Sequence, residues 1–105
     1  MTRHFLDIQD VSSEEMGFLL DSALNFKKVS QSGVSYEPIL SGKSIGLLFE
    51  KPSTRTRVSF EVGIKQLGGD VVVLQREEVG LGKREAIKDV ARVLERYVDM
   101  VMIRT

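Results

Sequence analysis

Three short apolar segments, separated by helical patterns, constrain the fold of this chain more than any other feature. The segments are SIGLLFE at 44–50, DVVVLQ at 70–75 and DMVMIRT at 99–105. Helical patterns lie between them at 53–67 and 85–97, the second amphipathic. Strands that are apolar along their whole length are typical of parallel sheets, because helices cover both faces of such sheets. The sequence therefore predicts an α/β fold with a βαβαβ core and right-handed crossovers, the helices lying on both faces of a parallel sheet.

A further helix precedes this core. Ser12 and Glu15 have the spacing of a capping box at a helix N-terminus. An apolar stripe from Met16 to Leu24 follows, and the pattern ends near Gly33. Residues 33–43 are predicted to form a loop before the first strand.

Composition excludes several classes of protein. A chain of 105 residues suits one small domain. Fifteen basic and fifteen acidic residues balance, so no general affinity for nucleic acid or membranes is expected. With no cysteine and one histidine, disulfides, cysteine-based zinc sites and histidine metal clusters are not expected. The N-terminus is too polar for a signal peptide and no apolar run has membrane-spanning length, which predicts a cytoplasmic protein.

Two arginines lie near the N-terminus of a predicted helix, where positive charge is unfavourable. Ser53 is a suitable N-cap for the 53–67 helix, so Arg55 and Arg57 fall in or just after its first turn. The positive end of the helix dipole disfavours each exposed arginine by about 0.3–1 kcal/mol. An anion bound to the free N–H groups and to the hydroxyls of Ser53, Thr54 and Thr56 would reverse that sign. Charge-assisted hydrogen bonds of about 1.5–3 kcal/mol each would exceed the dipole penalty.

The predicted topology brings other cations to the same place. Ligands of parallel sheets bind beyond the carboxyl ends of the strands, where the strand order reverses. The segments that follow the three strands, 51–57, 76–84 and 104–105, are rich in cations and hydroxyls. They predict an anion site at this edge. The alternative is that Arg55 and Arg57 lie on a solvated helix face.

Ser-Thr-Arg-Thr-Arg at 53–57, within FEKPSTRTRVSFEVG at 49–63, resembles the transcarbamoylase family, and this motif is specific for carbamoyl phosphate binding. The segments RHFLDIQDVSSEE at 3–15 and IKDVARVLERYVDMVMIRT at 87–105 extend the resemblance over essentially the whole chain. Lys51, the IKD-ARVL run and the final Ile-Arg-Thr favour the ornithine carbamoyltransferases of this family. Aspartate carbamoyltransferases more typically carry Arg-His-Pro at that last place.

The resemblance implies a reaction in which the side-chain amine of L-ornithine attacks the carbonyl carbon of carbamoyl phosphate. L-Citrulline and phosphate form in a step of arginine metabolism that uses no metal or cofactor. Catalysis would rest on positioning and on stabilising oxyanion charge. The resemblance also implies a homo-oligomer, a trimer in the family, with sites at subunit boundaries. By position, the residues that bind carbamoyl phosphate are Ser53, Thr54, Arg55, Thr56 and Arg104, with Arg55 and Arg104 as the catalytic residues.

The sequence departs from the family pattern in two ways. A loop glutamine that many members direct into a neighbouring subunit aligns with Gly80, and Lys83 or Arg84 could supply a different contact. The family's enzymes also continue through a histidine-containing motif and a second domain that binds ornithine. Residues 1–105 are therefore expected to be a partial carbamoyl-phosphate-binding domain, without the ornithine-binding domain and inactive alone.

Helix geometry separates the roles of the two arginines. Positions two apart point about 200° away from each other, so both guanidinium groups cannot face one anion. Arg55 is the second helical residue, among the free N–H groups, and is assigned to the ligand. Arg57 lies four residues before Glu61 and is expected to pair with it as structural support.

Two other functions stay open from sequence. One is aspartate carbamoyltransferase of pyrimidine biosynthesis, which shares the five-residue motif. The other is a non-catalytic anion-binding or interaction module that retains only the sheet.

Overall fold

A computed structural model describes residues 3–75 and 84–104, with the backbone alone for residues 84–88. The chain divides into two compact units, Met1–Tyr36 and Glu37–Thr105. The helices and strands, in chain order, are α1 (Ser13–Ser32), β1 (Ser44–Phe49), α2 (Thr54–Gln66), β2 (Asp70–Gln75), α3 (Arg84–Tyr97) and β3 (Met100–Arg104).

The first unit contains a short 3-10 turn, Ile8–Asp10, followed by α1. The predicted capping box is confirmed, because Ser12 and Glu15 each accept a hydrogen bond from the other's backbone N–H. The helix ends at Gly33, whose left-handed φ of 80° suits a residue without Cβ. The predicted apolar stripe of α1 is solvent-exposed, with Leu20 and Leu24 each 59% accessible.

The second unit is a three-stranded parallel sheet with strand order β2-β1-β3, which confirms the predicted α/β class. The chain crosses from β1 to β2 on one side and then returns past β1 to β3. The strand order therefore reverses at β1, between the end of β1 and the end of β3. In open parallel sheets this reversal marks the expected ligand crevice.

β1 is the core of the sheet because both of its faces are covered. Ile45, Leu47 and Phe49 alternate along one face and pack with Ile64 of α2. The other face carries Leu48, 4% accessible, and Gly46. A Cβ on Gly46 would lie 3.8 Å from Val98, directly after α3, so this face meets the end of α3. Helices on both faces of the sheet were predicted and are found.

The observed bounds differ little from the predicted ones. α2 covers Thr54–Gln66, with Ser53 and Leu67 as its flanking caps. β2 has the predicted bounds. Helix α3 begins at Arg84, a residue that the sequence assigns to the preceding loop. No helix among the described residues combines the length and the apolar character needed to cross a membrane.

Candidate functional site

The N-terminus of α2 has unused hydrogen-bonding capacity. Ser53 occupies the N-cap position, with an extended backbone (φ −154°, ψ 96°), and its carbonyl accepts the first helical bond from Arg57 N at 3.0 Å. Ser53 is the N-cap of α2, as predicted, but its hydroxyl forms no capping hydrogen bond within the described part of the chain. Within the described part of the chain, the N–H groups of Thr54, Arg55 and Thr56 also have no backbone acceptor. This terminus can therefore donate several hydrogen bonds to one anion.

Arg104 lies at the same edge of the sheet. It is the last residue of β3 and pairs in register with Phe49, the last residue of β1. Its carbonyl oxygen accepts a hydrogen bond from Glu50 N at 2.9 Å, which ties the end of β3 to the start of the β1–α2 loop. The sheet thus brings Arg104 next to the loop that leads into Ser53, at the point where the strand order reverses.

A cavity of about 330 Å³ lies beside the N-terminal turn of α2, on the side of β2. Its polar wall combines the predicted residues Ser53, Thr54 and Arg57 with Glu61. Gln75, the last residue of β2, completes that polar wall. The remaining lining residues are Phe49, Pro52 and Val58. A volume of this size admits a small anion together with part of a second small molecule.

The two arginines take different positions, as helix geometry predicts. Arg57 lines the cavity, whereas Arg55 is exposed and is not among the lining residues. Arg57 and Glu61 share the cavity, but no ion pair joins these two residues in the described part of the chain, so their structural role stays a prediction. The position of Arg57 gives it access to a ligand without a competing bond to Glu61. The assignment of Arg55 to the phosphate stays a prediction.

Of the remaining predicted residues, Thr56 alone has a side chain that the structure describes. Thr56 is half-buried, and its carbonyl accepts a hydrogen bond from Ser59 Oγ at 3.0 Å. Gly80 and Lys83 lie outside the described residues. Arg84 is described by its backbone alone, as the first residue of α3. The proposed loop contact by these three residues therefore stays a prediction.

Sequence reasoning missed the contribution of β2 to the cavity. The sequence pattern places Gln75 in the strand alone, although it is the first polar residue after the apolar run at 71–74. A polar residue at the carboxyl end of a buried strand was the available signal, because that end faces the ligand edge of a parallel sheet. Phe49 and Pro52, which adjoin the motif, gave no comparable signal.

Among the described residues, positive charge dominates this edge. Lys51, Arg55, Arg57 and Arg104 are all exposed, while the nearby carboxylates, Glu50 and Glu61, are half-buried. Neither Arg55 nor Arg57 forms an ion pair with another described side chain. Exposed cations next to free helix N–H groups favour binding of a small, doubly charged anion such as a phosphate ester or acyl phosphate.

Comparison with known proteins agrees with this geometry. Residues 3–105 match the family model for the carbamoyl-phosphate-binding domain of aspartate/ornithine carbamoyltransferases. The chain belongs to this family. Ornithine carbamoyltransferase of Nitrobacter winogradskyi is 48% identical over 102 residues, covering 97% of this chain and 33% of that protein.

Solved structures of the family share the fold. Ornithine carbamoyltransferase from Pyrococcus furiosus superposes with a TM-score of 0.88 at 44% identity, covering 97% of this chain and 32% of that one. An N-acetyl-L-ornithine transcarbamylase variant, complexed with carbamyl phosphate and N-succinyl-L-norvaline, superposes with a TM-score of 0.81 at 43% identity. That comparison covers 99% of this chain and 33% of the other. The chain thus spans about a third of the length of the relatives it matches.

Proposed function

We propose that this chain is the carbamoyl-phosphate-binding domain of an ornithine carbamoyltransferase. The observation that carries the proposal is the N-terminus of α2, where an unused cap hydroxyl and free N–H groups lie at the sheet edge that also holds Arg104. Similarity to ornithine carbamoyltransferases over nearly the whole chain supports the same ligand. The anion is carbamoyl phosphate, and its phosphate group lies against the first turn of α2.

The proposed reaction transfers the carbamoyl group to the side-chain amine of L-ornithine. The neutral amine nitrogen attacks the carbonyl carbon, a C–N bond forms, and the carbonyl oxygen takes up negative charge. Collapse of this intermediate breaks the bond between the carbonyl carbon and the phosphate oxygen, releasing phosphate. The nitrogen loses a proton, and the products are L-citrulline and phosphate.

Residues of this chain would act on the donor half of that reaction. Ser53, Thr54 and Arg55 hold the phosphate, with Thr56 as a further donor, and they stabilise its charge as it leaves. Arg104 reaches the phosphate and the carbonyl oxygen from β3. Because the chemistry needs two bound reactants in one orientation, holding carbamoyl phosphate rigidly accounts for part of the rate enhancement.

The second candidate function, aspartate carbamoyltransferase, differs from the first in the amine that accepts the carbamoyl group. The family model covers aspartate as well as ornithine carbamoyltransferases, and one similar structure is an N-acetyl-L-ornithine transcarbamylase. Lys51 and the terminal Ile-Arg-Thr support ornithine. We place the acceptor site in the two thirds of the relatives' length that this chain does not span, so residues 1–105 alone should form no citrulline.

Two experiments test the proposal. Isothermal titration of the 105-residue chain with carbamoyl phosphate should show saturable binding, with glycerol phosphate as a charge-matched control that lacks the carbamoyl group. Failure to bind would contradict the donor assignment and favour an interaction module. A longer protein that contains this domain should then carbamoylate ornithine in preference to N-acetylornithine and aspartate. Preference for aspartate would reassign the protein to pyrimidine biosynthesis.

The proposal extends to assembly and location. We expect a homotrimer in the cytoplasm, acting in arginine biosynthesis. Association is supported by exposed apolar residues on the edge strand β3, where Met100 is 61% and Ile103 58% accessible. Sedimentation equilibrium over a range of concentrations checks this, and a monomer at high concentration would contradict it.

A further inference from the structure

Asp99 forms a two-bond clamp at the opposite edge of the sheet from the candidate site. It directly precedes β3, and Ser44 is the first residue of β1. The Asp99 N–H donates to the Ser44 carbonyl oxygen at 2.8 Å. In return, the Ser44 N–H donates to Oδ2 of Asp99 at 2.9 Å. The Asp99 carboxylate thus takes part in a strand pairing that is otherwise made by backbone groups.

The carboxylate lies where the β1–β3 ladder ends. Continuing the parallel ladder past Asp99 would require a carbonyl from the preceding residues. Those residues end α3, where Val98 N donates back to Leu94 O at 2.9 Å. Without the side chain of Asp99, the N–H of Ser44 would lose its acceptor at the start of the central strand.

The clamp lies at the beginning of the pairing between β1 and β3. From Ile45↔Met100 the pairing runs without interruption to Phe49↔Arg104. It closes with the hydrogen bond from Glu50 N to Arg104 O at 2.9 Å. A slip of one residue would turn every side chain of β3 to the other face, and any slip would move Arg104 relative to the β1–α2 loop.

We propose that Asp99 is a positioning residue, whose clamp on Ser44 fixes the β1–β3 register and thereby holds Arg104 beside the loop that enters α2. The consequence for ligand binding rests on the proposed function, whereas the consequence for register does not. Asp99 itself does not touch the anion. Five strand residues at about 3.3 Å each separate it from Arg104 by roughly 17 Å.

A positioning role and a purely electrostatic role of Asp99 predict opposite changes in anion affinity when the carboxylate is removed. Removing a carboxylate near an anion site would tighten binding if long-range electrostatics governed the result. At roughly 17 Å, about twice the screening length of about 8 Å at physiological salt, that effect is small. Loss of the clamp instead weakens binding, because Arg104 is no longer held in place.

The experiment compares four variants of the 105-residue chain. Asp99→Ala removes the acceptor, and Asp99→Asn removes the charge but keeps an acceptor oxygen. Ser44→Ala is the matched control, because the clamp uses only the backbone of Ser44. Ser12→Ala controls for general destabilisation, since it breaks the capping box of α1 in the other unit. If Asp99→Ala does not fold, Asp99→Glu replaces it, with the carboxylate displaced by one methylene.

Amide hydrogen exchange measures the register without a ligand. The Glu50 amide reports the β1–β3 pairing, and the Asp70 amide, which donates to Lys43 O at 2.9 Å, is the reference on the β2 side. In Asp99→Ala, exchange at Glu50 should accelerate by about tenfold relative to Asp70, as expected for the loss of one charge-assisted hydrogen bond. Ser44→Ala and Ser12→Ala should keep the wild-type ratio, and Asp99→Asn, which keeps a neutral acceptor, should stay closer to wild type than Asp99→Ala. An unchanged ratio in Asp99→Ala would overturn the inference.

Titration with carbamoyl phosphate measures the consequence for the site. The dissociation constant should rise roughly three- to tenfold in Asp99→Ala, because a misplaced contact loses much of its value, and should stay near wild type in the other variants. Tighter binding in both Asp99→Ala and Asp99→Asn would overturn the positioning role in favour of a charge effect. If wild type does not bind while the exchange ratio changes as expected, the proposed function fails and the register role stands.

Discussion

The two helices that begin with a serine cap use that serine differently. At the start of α1, Ser12 Oγ accepts from Glu15 N at 3.1 Å, and Glu15 Oε1 accepts from Ser12 N at 3.0 Å. Glu14 and Glu15 also place negative charge in the first turn. At the start of α2, Ser53 makes no such bond and the first turn contains no acidic residue.

The residue three places after each cap accounts for the difference. Glu15 completes the capping box of α1, whereas α2 has Thr56, which cannot return a carboxylate to the cap. Arg55 occupies the second helical position of α2, where α1 has Glu14. The terminus of α1 satisfies its own donors and complements the dipole, which stabilises the helix. At the N-terminus of α2, an external anion would accept from the N–H groups and complement the helix dipole, as expected of a binding site.

The largest effect should come from the arginine nearest the free N–H groups. Arg55→Ala should weaken carbamoyl phosphate binding by about 1.5–3 kcal/mol, roughly 10- to 100-fold, because one charge-assisted contact is lost. The melting temperature should change little, since Arg55 is exposed and has no ion pair with a described residue. Calorimetric titration and thermal melts measure both quantities.

Arg57→Ala is the matched comparison. Arg57 lines the cavity, but Glu61 lines it too, and this carboxylate offsets part of the attraction between Arg57 and an anion. We therefore expect a smaller loss of affinity than in Arg55→Ala. The pairing with Glu61 that would have made Arg57 a stabilising residue is absent, so its melting temperature should also stay close to wild type. A larger affinity loss in Arg57→Ala would move the ligand into the cavity beside β2.

The next effect concerns stability and separates the two caps directly. Ser12→Ala should cost about 1 kcal/mol, because it leaves the N–H of Glu15 without its acceptor. Ser53→Ala should cost only a few tenths of a kcal/mol in the absence of ligand, since the hydroxyl caps nothing. Chemical denaturation followed by circular dichroism checks the pair. Equal losses would show that Ser53 caps α2 in solution.

The same two variants should reverse their order in binding. If the Ser53 hydroxyl donates to the phosphate, Ser53→Ala should lose about 0.5–1.5 kcal/mol of affinity, roughly two- to tenfold. Ser12→Ala should bind as tightly as wild type. Ser53→Thr keeps the hydroxyl and should recover most of the affinity. Weakened binding in Ser12→Ala would mean that the two serines differ less than the structure indicates.

Sequence could predict the fold because burial pattern and turn chemistry agreed along the chain. The strand DVVVLQ was placed with its observed bounds, and Gly33 marked the end of α1, since a left-handed residue there favours glycine. The α2 motif and Arg104 also lie at the carboxyl edge of the sheet, where the sequence places them. These features depend on local pattern and on the general topology of parallel sheets.

The sequence could not predict which side chains form hydrogen bonds or ion pairs when the alternatives have similar free energies. Spacing of four residues allows Arg57 and Glu61 to pair but does not require it, because exposed partners are nearly as well solvated by water. A serine at a cap position likewise bonds to the helix or to something else at similar cost. The contribution of Gln75 depends on how closely β2 approaches α2, which is a tertiary property. These three outcomes all concern the candidate site, where the helix terminus is not optimised for its own stability.

The smallest expected effect is a pH dependence present at one helix terminus and absent from the other. The hydrogen bond from the Ser12 backbone N–H, followed by that from Arg3, lowers the pKa of Glu15 below its ordinary value of 4.5. Because the folded-state pKa is the lower one, the contribution of Glu15 to stability is complete above pH 4.5 and is lost as the pH falls through the folded-state pKa. The first turn of α2 contains no carboxylate that could respond in this way.

In an NMR titration from pH 6 to pH 2 without ligand, the Ser12 amide should shift with the titration of Glu15, while the amides of Thr54 and Arg55 should not follow that transition. Glu15→Gln keeps an acceptor oxygen but cannot titrate, so it should abolish the shift at Ser12 and leave α2 unchanged. A matching transition at Thr54 in this variant would show that a carboxylate elsewhere in the chain caps α2, which would remove the distinction between the two termini.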